Sequence, residues 1–171
     1  MDISDNNLGC RDRVVSGLDW VFKKEESAII LEDDCIPSDT FLEFCQNMIN
    51  EYKDDERIGV ISGTNLIECG HENDTYHFSK YCNIWGWATW RRAWKYYNDD
   101  NFLLAKKIKN MKQIDEFNFN NSFNYYDILV NRSSSTWAIN WYASAFIQNM
   151  LTLYPKSPHV KNIGNSGLGT H

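Results

Sequence analysis

The sequence lacks the features that would place it in a membrane or a disulfide-rich class. It has no run of roughly 18 apolar residues, the length that suggests a membrane-spanning helix. Residues 1–13 are polar and lack the apolar centre of a secretory signal. The five cysteines form no CxxC pair and are odd in number, which argues against a disulfide framework and a structural zinc site. We therefore expect a protein of the reducing cytoplasm. The cysteines are Cys10, Cys35, Cys45, Cys69 and Cys82.

Basic charge is also scarce. The formal net charge is -6, whereas a nucleic-acid partner requires a basic surface that matches the phosphate backbone. Aromatic residues, by contrast, make up 15% of the chain and include seven Trp. With 43% apolar residues in a chain of 171, the sequence is able to bury a core, and its length predicts one domain over residues 1–171.

The first part of the sequence has the pattern of an α/β fold. Residues 14–22 predict a short helix, and the continuous apolar run 28–31 predicts a strand buried on both faces of a parallel sheet. Apolar residues at helical spacing then predict a helix from residue 38 to about 53, and 57–62 predicts a second buried strand. Strand, helix and strand in this order form a βαβ unit.

The second part of the sequence has a less regular pattern. Trp87, Trp90 and Trp94 recur at helical spacing, so we predict a helix over 89–97 with these rings on one face. Further patterns predict a short strand over 76–78, one or two helices over 101–131, a helix over 137–150 and a mostly irregular tail over 151–171.

The most informative feature is the acidic triplet Glu32-Asp33-Asp34, which directly follows the first predicted strand. In open α/β sheets, ligands bind just beyond the carboxyl ends of the strands. Three adjacent carboxylates repel one another unless a cation compensates, and carboxylate oxygens favour Mg²⁺ or Mn²⁺. Such an ion holds a diphosphate and stabilises its charge as it leaves. The alternative is a solvated acidic turn that interacts with the dipole of the next helix.

Four segments together resemble a known enzyme family. Residues 29–44 (IILEDDCIPSDTFLEF) resemble the DxD-type metal segment of GT-A-fold glycosyltransferases, most closely the bacterial family-2-like enzymes and more distantly the N-acetylglucosaminyltransferase I group. Residues 7–22 resemble the "N-x-GC" segment and helix before the acidic strand, and 83–94 (NIWGWATWRRAW) resemble the Gly-Trp-rich acceptor-side loop. Residues 137–171 resemble the closing helix and the "NIG…GTH" tail.

The resemblance implies a fold and a reaction. The fold is a Rossmann-like GT-A domain that is shortened at its N-terminus, because family members open with a base-gripping strand and turn before the segment matched here. Residues 1–65 are then the remainder of the nucleotide- and metal-binding half, and 66–171 are the acceptor-side half. The implied enzyme is a hexosyltransferase of polysaccharide biosynthesis, which transfers a sugar with inversion from a nucleoside diphosphate sugar, expected to be a UDP-sugar, to a glycan or lipid-linked acceptor.

The resemblance also implies roles for individual residues. Asp34 is the expected direct ligand of Mn²⁺ or Mg²⁺, and His171 is the expected second protein ligand. Glu32 and Asp33 would contact the ribose, the sugar or metal-bound water. Gly86 and Trp87 would form a wall of the acceptor site, with the remaining Trp residues packing in the core. His71, His77 and His159 have no partner spacing that favours a site, and we expect them to be surface or core histidines.

One expected residue is missing. The family places an acidic base shortly before the Trp that opens the closing helix, but residues 133–136 are Ser-Ser-Ser-Thr, and Ser135 stands at the position of the base. Asp127 and Asp115 are the nearest carboxylates, and the segment 133–136 also suits a turn and helix N-cap.

The alternatives to the transferase remain open at this point. One is a non-catalytic glycan- or partner-binding remnant of such an enzyme, and another is an unrelated Mg²⁺-dependent phosphatase or hydrolase. Strand edges left exposed by a shortened domain favour self-association into a homo-oligomer. The Trp-rich segment also leaves a peripheral membrane contact open.

Overall fold

The computed structural model describes residues 3, 5–65, 75–131 and 137–164, which form a mixed α/β arrangement. The strands are β1 (Ser27–Ile30), β2 (Cys35–Pro37), β3 (Ile58–Ser62), β4 (Tyr76–Ser79), β5 (Trp87–Trp90), β6 (Leu151–Pro155) and β7 (Val160–Asn162). The helices are α1 (Gly9–Phe22), α2 (Phe41–Glu51), α3 (Arg91–Trp94), α4 (Asn101–Met111), α5 (Ile114–Phe117), α6 (Tyr125–Asn131) and α7 (Ala138–Ile147). The predicted α/β class is confirmed.

Five strands form one mixed sheet in the order β1-β5-β3-β6-β4. β5 runs antiparallel to both β1 and β3, β3 and β6 are parallel, and β4 is antiparallel to β6. The strands β1, β3 and β6 therefore run in one direction, and their carboxyl ends lie at the same edge of the sheet. The short strands β2 and β7 pair separately as an antiparallel ribbon.

The predicted strand–helix–strand unit is confirmed, but the surroundings of its first strand differ from the prediction. β1 and β3 run in the same direction and α2 connects them, yet β5 lies between them. In the part of the chain that the structure describes, β1 is therefore an edge strand that pairs antiparallel, and its four residues are only partly buried. The expectation of a strand buried on both faces of a parallel sheet was wrong, because a short apolar run does not reveal its neighbours.

The Trp-rich segment is mainly a strand. Residues Trp87–Trp90 form β5, and the helix that follows covers only Arg91–Trp94. The predicted helix over 89–97 is therefore confirmed for these four residues and was wrong for 89–90 and 95–97. A separation of three residues puts Trp87 and Trp90 on opposite faces of a strand. Trp87 packs in one core cluster and Trp90 in another, so both rings are buried without a helix. The spacing of the Trp residues alone did not distinguish a helix with one buried face from a strand buried on both faces.

The sheet has helices on both faces. On one face, α1 and α7 pack against Val60 and Trp87, and the rings of Trp94 and Trp141 lie 5.1 Å apart between their centroids. On the other face, α2 contributes Phe41 to a cluster with Ile61. Adjacent residues of β3 therefore point into different halves of the core, as the alternation of a strand requires. None of the helices in the described ranges is long and apolar enough to cross a membrane.

The end of the chain carries more structure than predicted. The region over 151–171 was expected to be mostly irregular, but Leu151–Pro155 is an interior strand of the sheet and Val160–Asn162 pairs with β2. The predicted helix over 137–150 and the short strand over 76–78 are confirmed. The region over 101–131 contains three helices rather than one or two.

The close backbone approach at Gly63 gives a stability prediction. A Cβ at Gly63 would lie 2.5 Å from the carbonyl oxygen of Gly86 and 2.5 Å from the Phe41 ring. We expect Gly63→Ala to lower the free energy of unfolding by about 2–3 kcal/mol, because overpacking a filled site forces backbone shifts. Denaturant-induced unfolding measures this change.

The matched control is Gly17→Ala in helix α1, where a Cβ would meet nothing within 4 Å. This variant should be unchanged or more stable by up to about 1 kcal/mol, because Ala favours a helix interior over Gly. Equal stability of the two variants would contradict the proposed constraint at Gly63.

Candidate active site

The acidic triplet forms a tight turn at the carboxyl edge of the sheet. It connects β1 to β2, and the backbone N–H of Cys35 donates to the carbonyl oxygen of Glu32 at 3.1 Å. Because β1 and β3 run in the same direction, the turn and Gly63 lie at the same sheet edge. This is the edge at which open α/β sheets bind ligands.

Asp34 is held in place by three neighbours, one at its backbone carbonyl and two at its carboxylate. The backbone N–H of Ile163 donates to the carbonyl oxygen of Asp34 at 2.9 Å, which extends the β2–β7 ribbon. The Cys35 thiol lies 3.5 Å from Asp34 Oδ1. A side chain at Gly164 would collide with Asp34 Oδ2, so the backbone of residue 164 passes directly over the carboxylate. Asp34 is half-buried and oriented by the chain around it.

Two polar neighbours of Asp34 were not singled out as site residues. Asn162 Oδ1 accepts a hydrogen bond from the backbone N–H of Gly164 at 2.9 Å, and this bond fixes the turn over the carboxylate. Asn162 and Gly164 belong to the "NIG" stretch. The sequence showed that stretch only as part of the resemblance, because the contact joins positions about 130 residues apart.

The first turn of α1 lies beside the acidic turn. Partial burial raises the pKa of the Cys10 thiol, and the negative charges of Glu32 and Asp33 raise it further. Gly9 begins the helix at φ +73°, and its N–H donates to Asn7 Oδ1 at 2.8 Å. The fold therefore brings the N-x-GC segment and the acidic segment together. The positive end of the helix dipole there favours nearby negative charge.

Gly86 contributes backbone rather than a side chain. It has a φ of +61°, and a Cβ there would lie 2.6 Å from Val160 Cγ2 and 3.2 Å from Leu31 Cδ2. Leu31 immediately precedes the acidic triplet, so Gly86 belongs to the same sheet edge as Glu32–Asp34. Only glycine suits this position, because positive φ and close packing both exclude a larger residue.

Trp87 lies in the core. Its side chain is 0% exposed, and its ring stacks on Trp137 with 5.7 Å between the centroids. An indole without exposed surface is not available to stack on a sugar, so this burial argues against the predicted acceptor-wall role of Trp87. Trp87 instead packs in a core cluster with Trp94 and Trp141.

Two carboxylates of the turn, Asp33 and Asp34, have no cationic partner among the residues that the structure describes. Within the described ranges, no group of three or more His, Cys, Asp and Glu side chains is placed to hold a metal ion. His171, the predicted second metal ligand, lies outside the described residues.

The structure describes only one of the two candidate positions for the catalytic base. Ser135 lies outside the described residues. Asp127 is exposed in the first turn of α6, where its N–H donates to Asn124 Oδ1 at 3.1 Å and its Oδ1 accepts from Asn131 Nδ2 at 2.5 Å. α6 contacts mainly α4, α5 and α7, so Asp127 belongs to the helical side of the molecule rather than to the acidic turn.

Two of the remaining histidines have packing roles, as expected. His159 stacks on Phe44 with 4.6 Å between ring centroids, and its Nδ1 lies 2.9 Å from Thr40 Oγ1. Burial lowers the pKa of the His159 imidazole. His77 stacks on Tyr154. His71 lies outside the described residues.

Comparison with known proteins adds no family assignment. No protein-family model matches the chain, and no curated protein matches it. The glycosyltransferase resemblance therefore rests on the quoted motifs, and the chemistry of the site must be argued from the residues themselves.

The position of Cys10 gives a direct test of the site geometry. In the double variant Glu32→Gln with Asp33→Asn, loss of two negative charges should lower the pKa of the Cys10 thiol and increase its thiolate fraction. We expect Cys10 to react faster with a thiol reagent by at most about fivefold, the range that exposed charge interactions provide. Peptide mass spectrometry of the modified protein measures the rate of modification at Cys10 separately from that of the other cysteines.

Glu43→Gln is the matched control, because Glu43 is exposed on α2 and does not contribute to the raised Cys10 pKa. An unchanged Cys10 rate in the double variant would show that the first turn of α1 is not beside the acidic turn.

Proposed function

We propose that this chain is a metal-dependent glycosyltransferase of the GT-A type. It transfers a sugar, with inversion, from a nucleoside diphosphate sugar, expected to be a UDP-sugar, to a glycan or lipid-linked acceptor. The observation that carries the proposal is the oriented Asp34 carboxylate in an acidic turn at the carboxyl edge of a mixed sheet. The four sequence segments that resemble the family support it, and the fold brings two of them together at this turn.

The residues around Asp34 fit a divalent cation that is shared with a diphosphate. Mg²⁺ is usually held by one or two carboxylates together with substrate phosphates rather than by a complete protein cage. Asp34 would be the direct ligand, with its carboxylate oriented by Cys35 and the backbone at Gly164. When bound, the cation would stabilise the negative charge of the departing diphosphate.

Glu32 and Asp33 would bind the donor rather than the cation. Ionised carboxylates accept hydrogen bonds, so these side chains suit the hydroxyl groups of the ribose or the transferred sugar. Gly86 supports the same edge through its backbone, since its lack of a side chain allows Leu31 and Val160 to pack beneath the turn. The neighbouring first turn of α1 adds backbone N–H groups that favour an anionic donor.

The cation proposal is tested by Asp34→Asn. This change keeps the size of the side chain and removes its charge, so calorimetry should show loss of Mn²⁺-dependent UDP binding. Asp39→Asn is the matched control, because Asp39 is exposed beyond β2 and lies outside the turn. It should bind Mn²⁺ and UDP as the unmodified chain does.

The outcome that would reject this assignment is equal Mn²⁺-dependent UDP binding by the Asp34→Asn variant and the unmodified chain. Binding of UDP that is independent of any divalent cation would also reject the metal-dependent mechanism, while leaving nucleotide binding in place.

The catalytic base is tested by changing the position that the resemblance identifies. An inverting transfer needs a group that takes the proton from the acceptor hydroxyl, and a serine hydroxyl does not take up a proton near neutral pH. We expect Ser135→Asp to raise donor turnover about 10²- to 10⁴-fold, the usual contribution of general-base catalysis, with little change in UDP binding.

Asp127→Asn is the companion variant. If Asp127 is not the base, this variant should retain the turnover of the parent chain. Loss of turnover in Asp127→Asn, with no gain in Ser135→Asp, would instead identify Asp127 as the base. Mn²⁺-dependent UDP binding without turnover in any variant would favour the non-catalytic remnant.

A further inference from the structure

A cavity lies away from the acidic turn. It has a volume of about 240 Å³ and lies between strands β4 and β6, the loop that precedes β5, and the segment between α5 and α6. Its lining includes His77, Tyr81, Asn83, Phe119, Tyr125 and Tyr154. We call it the tyrosine pocket.

The aromatic walls of the tyrosine pocket are fixed by their neighbours. Tyr154 stacks on His77 with 5.3 Å between centroids and an interplanar angle of 11°. Phe119 meets Tyr81 edge to face at 4.0 Å between centroids. The Tyr154 hydroxyl donates to the carbonyl oxygen of Tyr81 at 2.9 Å, so two walls are tied to each other. The rings are thus preorganised before any ligand binds.

The backbone that presents Phe119 is strained. Phe119, Asn120 and Asn121 have φ values of 56°, 50° and 64°, and the left-handed region is uncommon for a bulky residue such as Phe. Hydrogen bonds hold the segment in this conformation, including Phe123 N–H to the carbonyl oxygen of Asn118 at 3.1 Å. Strain of this kind persists only where the surroundings enforce it, and such positions cluster at ligand sites.

The chemistry of the tyrosine pocket favours a neutral, hydroxylated ring. No Asp, Glu, Lys or Arg side chain is among the described residues that line it, so it offers no permanently charged group to pair with a phosphate or a carboxylate. Asn83 uses its Oδ1 to accept from the Trp85 N–H at 3.0 Å, and its NH₂ group is a donor for a ligand. Tyr125 adds a half-buried phenol. Aromatic surface with a few hydroxyl and amide groups is the combination that suits a sugar.

The size of the cavity further restricts the ligand. Sites for drug-sized molecules have volumes of roughly 300–1,000 Å³. A cavity of about 240 Å³ is smaller than these and suits a single ring rather than a nucleotide.

We propose that the tyrosine pocket binds one neutral sugar ring, which is the terminal residue of the acceptor. The acceptor assignment rests on the proposed function, whereas the sugar binding itself rests on the pocket alone. Asn83 precedes Gly86 by three residues, a span of at most about 10 Å, and Gly86 packs against Leu31 beside the acidic turn. The loop that lines the pocket therefore leads directly to the proposed donor site.

The test is saturation-transfer NMR on the chain with methyl glycosides of several neutral hexoses, without nucleotide or metal. We expect transfer to at least one sugar, with a dissociation constant on the order of 1 mM because a single ring makes few contacts. Phe119→Gly removes the ring while its backbone still adopts positive φ readily, and should weaken binding about tenfold. Asn83→Asp keeps the acceptor for Trp85, removes the donor, and should also weaken binding.

Phe102→Ala is the matched control, because Phe102 is 78% exposed on α4 and outside the pocket, and it should leave binding unchanged. Circular dichroism checks that each variant is folded. Absence of transfer to every sugar by the folded parent chain would overturn the proposal. The proposal would also be overturned if folded Phe119→Gly and folded Asn83→Asp both bound the sugar as strongly as the parent chain does.

The same titrations in Asp34→Asn separate this proposal from the proposed function. If the tyrosine pocket is correct, Asp34→Asn binds the sugar as the parent chain does, whether or not it binds Mn²⁺ and UDP. Sugar binding by a parent chain that fails to bind Mn²⁺ and UDP would remove the transferase assignment and leave the pocket standing. Binding of Mn²⁺ and UDP without sugar binding would reject the tyrosine pocket as a sugar site and leave the proposed transferase function in place.

Discussion

The close approach of Gly63 and Gly86 is the constraint on which the rest of the sheet edge depends. The backbone N–H of Gly63 donates to the carbonyl oxygen of Gly86 at 2.6 Å, and the carbonyl oxygen of Gly63 accepts from the His159 N–H at 2.8 Å. One residue thus joins the end of β3 to the start of β5 and to the segment before β7. Phe41 and Val160 occupy the space that a side chain at Gly63 would need. The main sheet, helix α2 and the β2–β7 ribbon meet at this point.

The position of the acidic turn depends on the close approach of Gly63 and Gly86. Val160, which packs against both glycines, is the first residue of β7, and β7 pairs with β2 directly after Asp34. The ribbon then brings Ile163 and Gly164 over the Asp34 backbone and carboxylate. The orientation of one carboxylate therefore follows from backbone contacts made by glycines, which carry no chemistry of their own. Such support from a fixed framework is what a preorganised site requires.

The sequence predicted what depends on local pattern and missed what depends on distant pairing. Strands β1 and β3 were predicted from short apolar runs and helix α2 from apolar residues at helical spacing, and the acidic triplet was placed correctly at a strand end. The insertion of β5 between β1 and β3 was missed, because the register of Trp87 with Ile30 and Ser62 is not visible in spacing. β6 was missed for the same reason, since it pairs with a strand about 90 residues earlier. At the candidate site, the sequence did not predict the contact of Gly164 with Asp34, because only the folded chain brings these two residues together.

The aromatic residues divide into two groups that composition does not separate. Trp87 and Trp141 have no exposed surface and pack on one another, with 6.0 Å between their centroids, so their large rings fill the core. The rings at the tyrosine pocket are mostly half-buried, and three of them, Tyr81, Tyr125 and Tyr154, carry hydroxyl groups, so together they present both apolar surface and hydrogen-bonding capacity. A sugar needs both properties at once, because its ring has apolar C–H groups and polar hydroxyls. Tyrosines beside a strained Phe119 therefore meet that need better than the buried tryptophans.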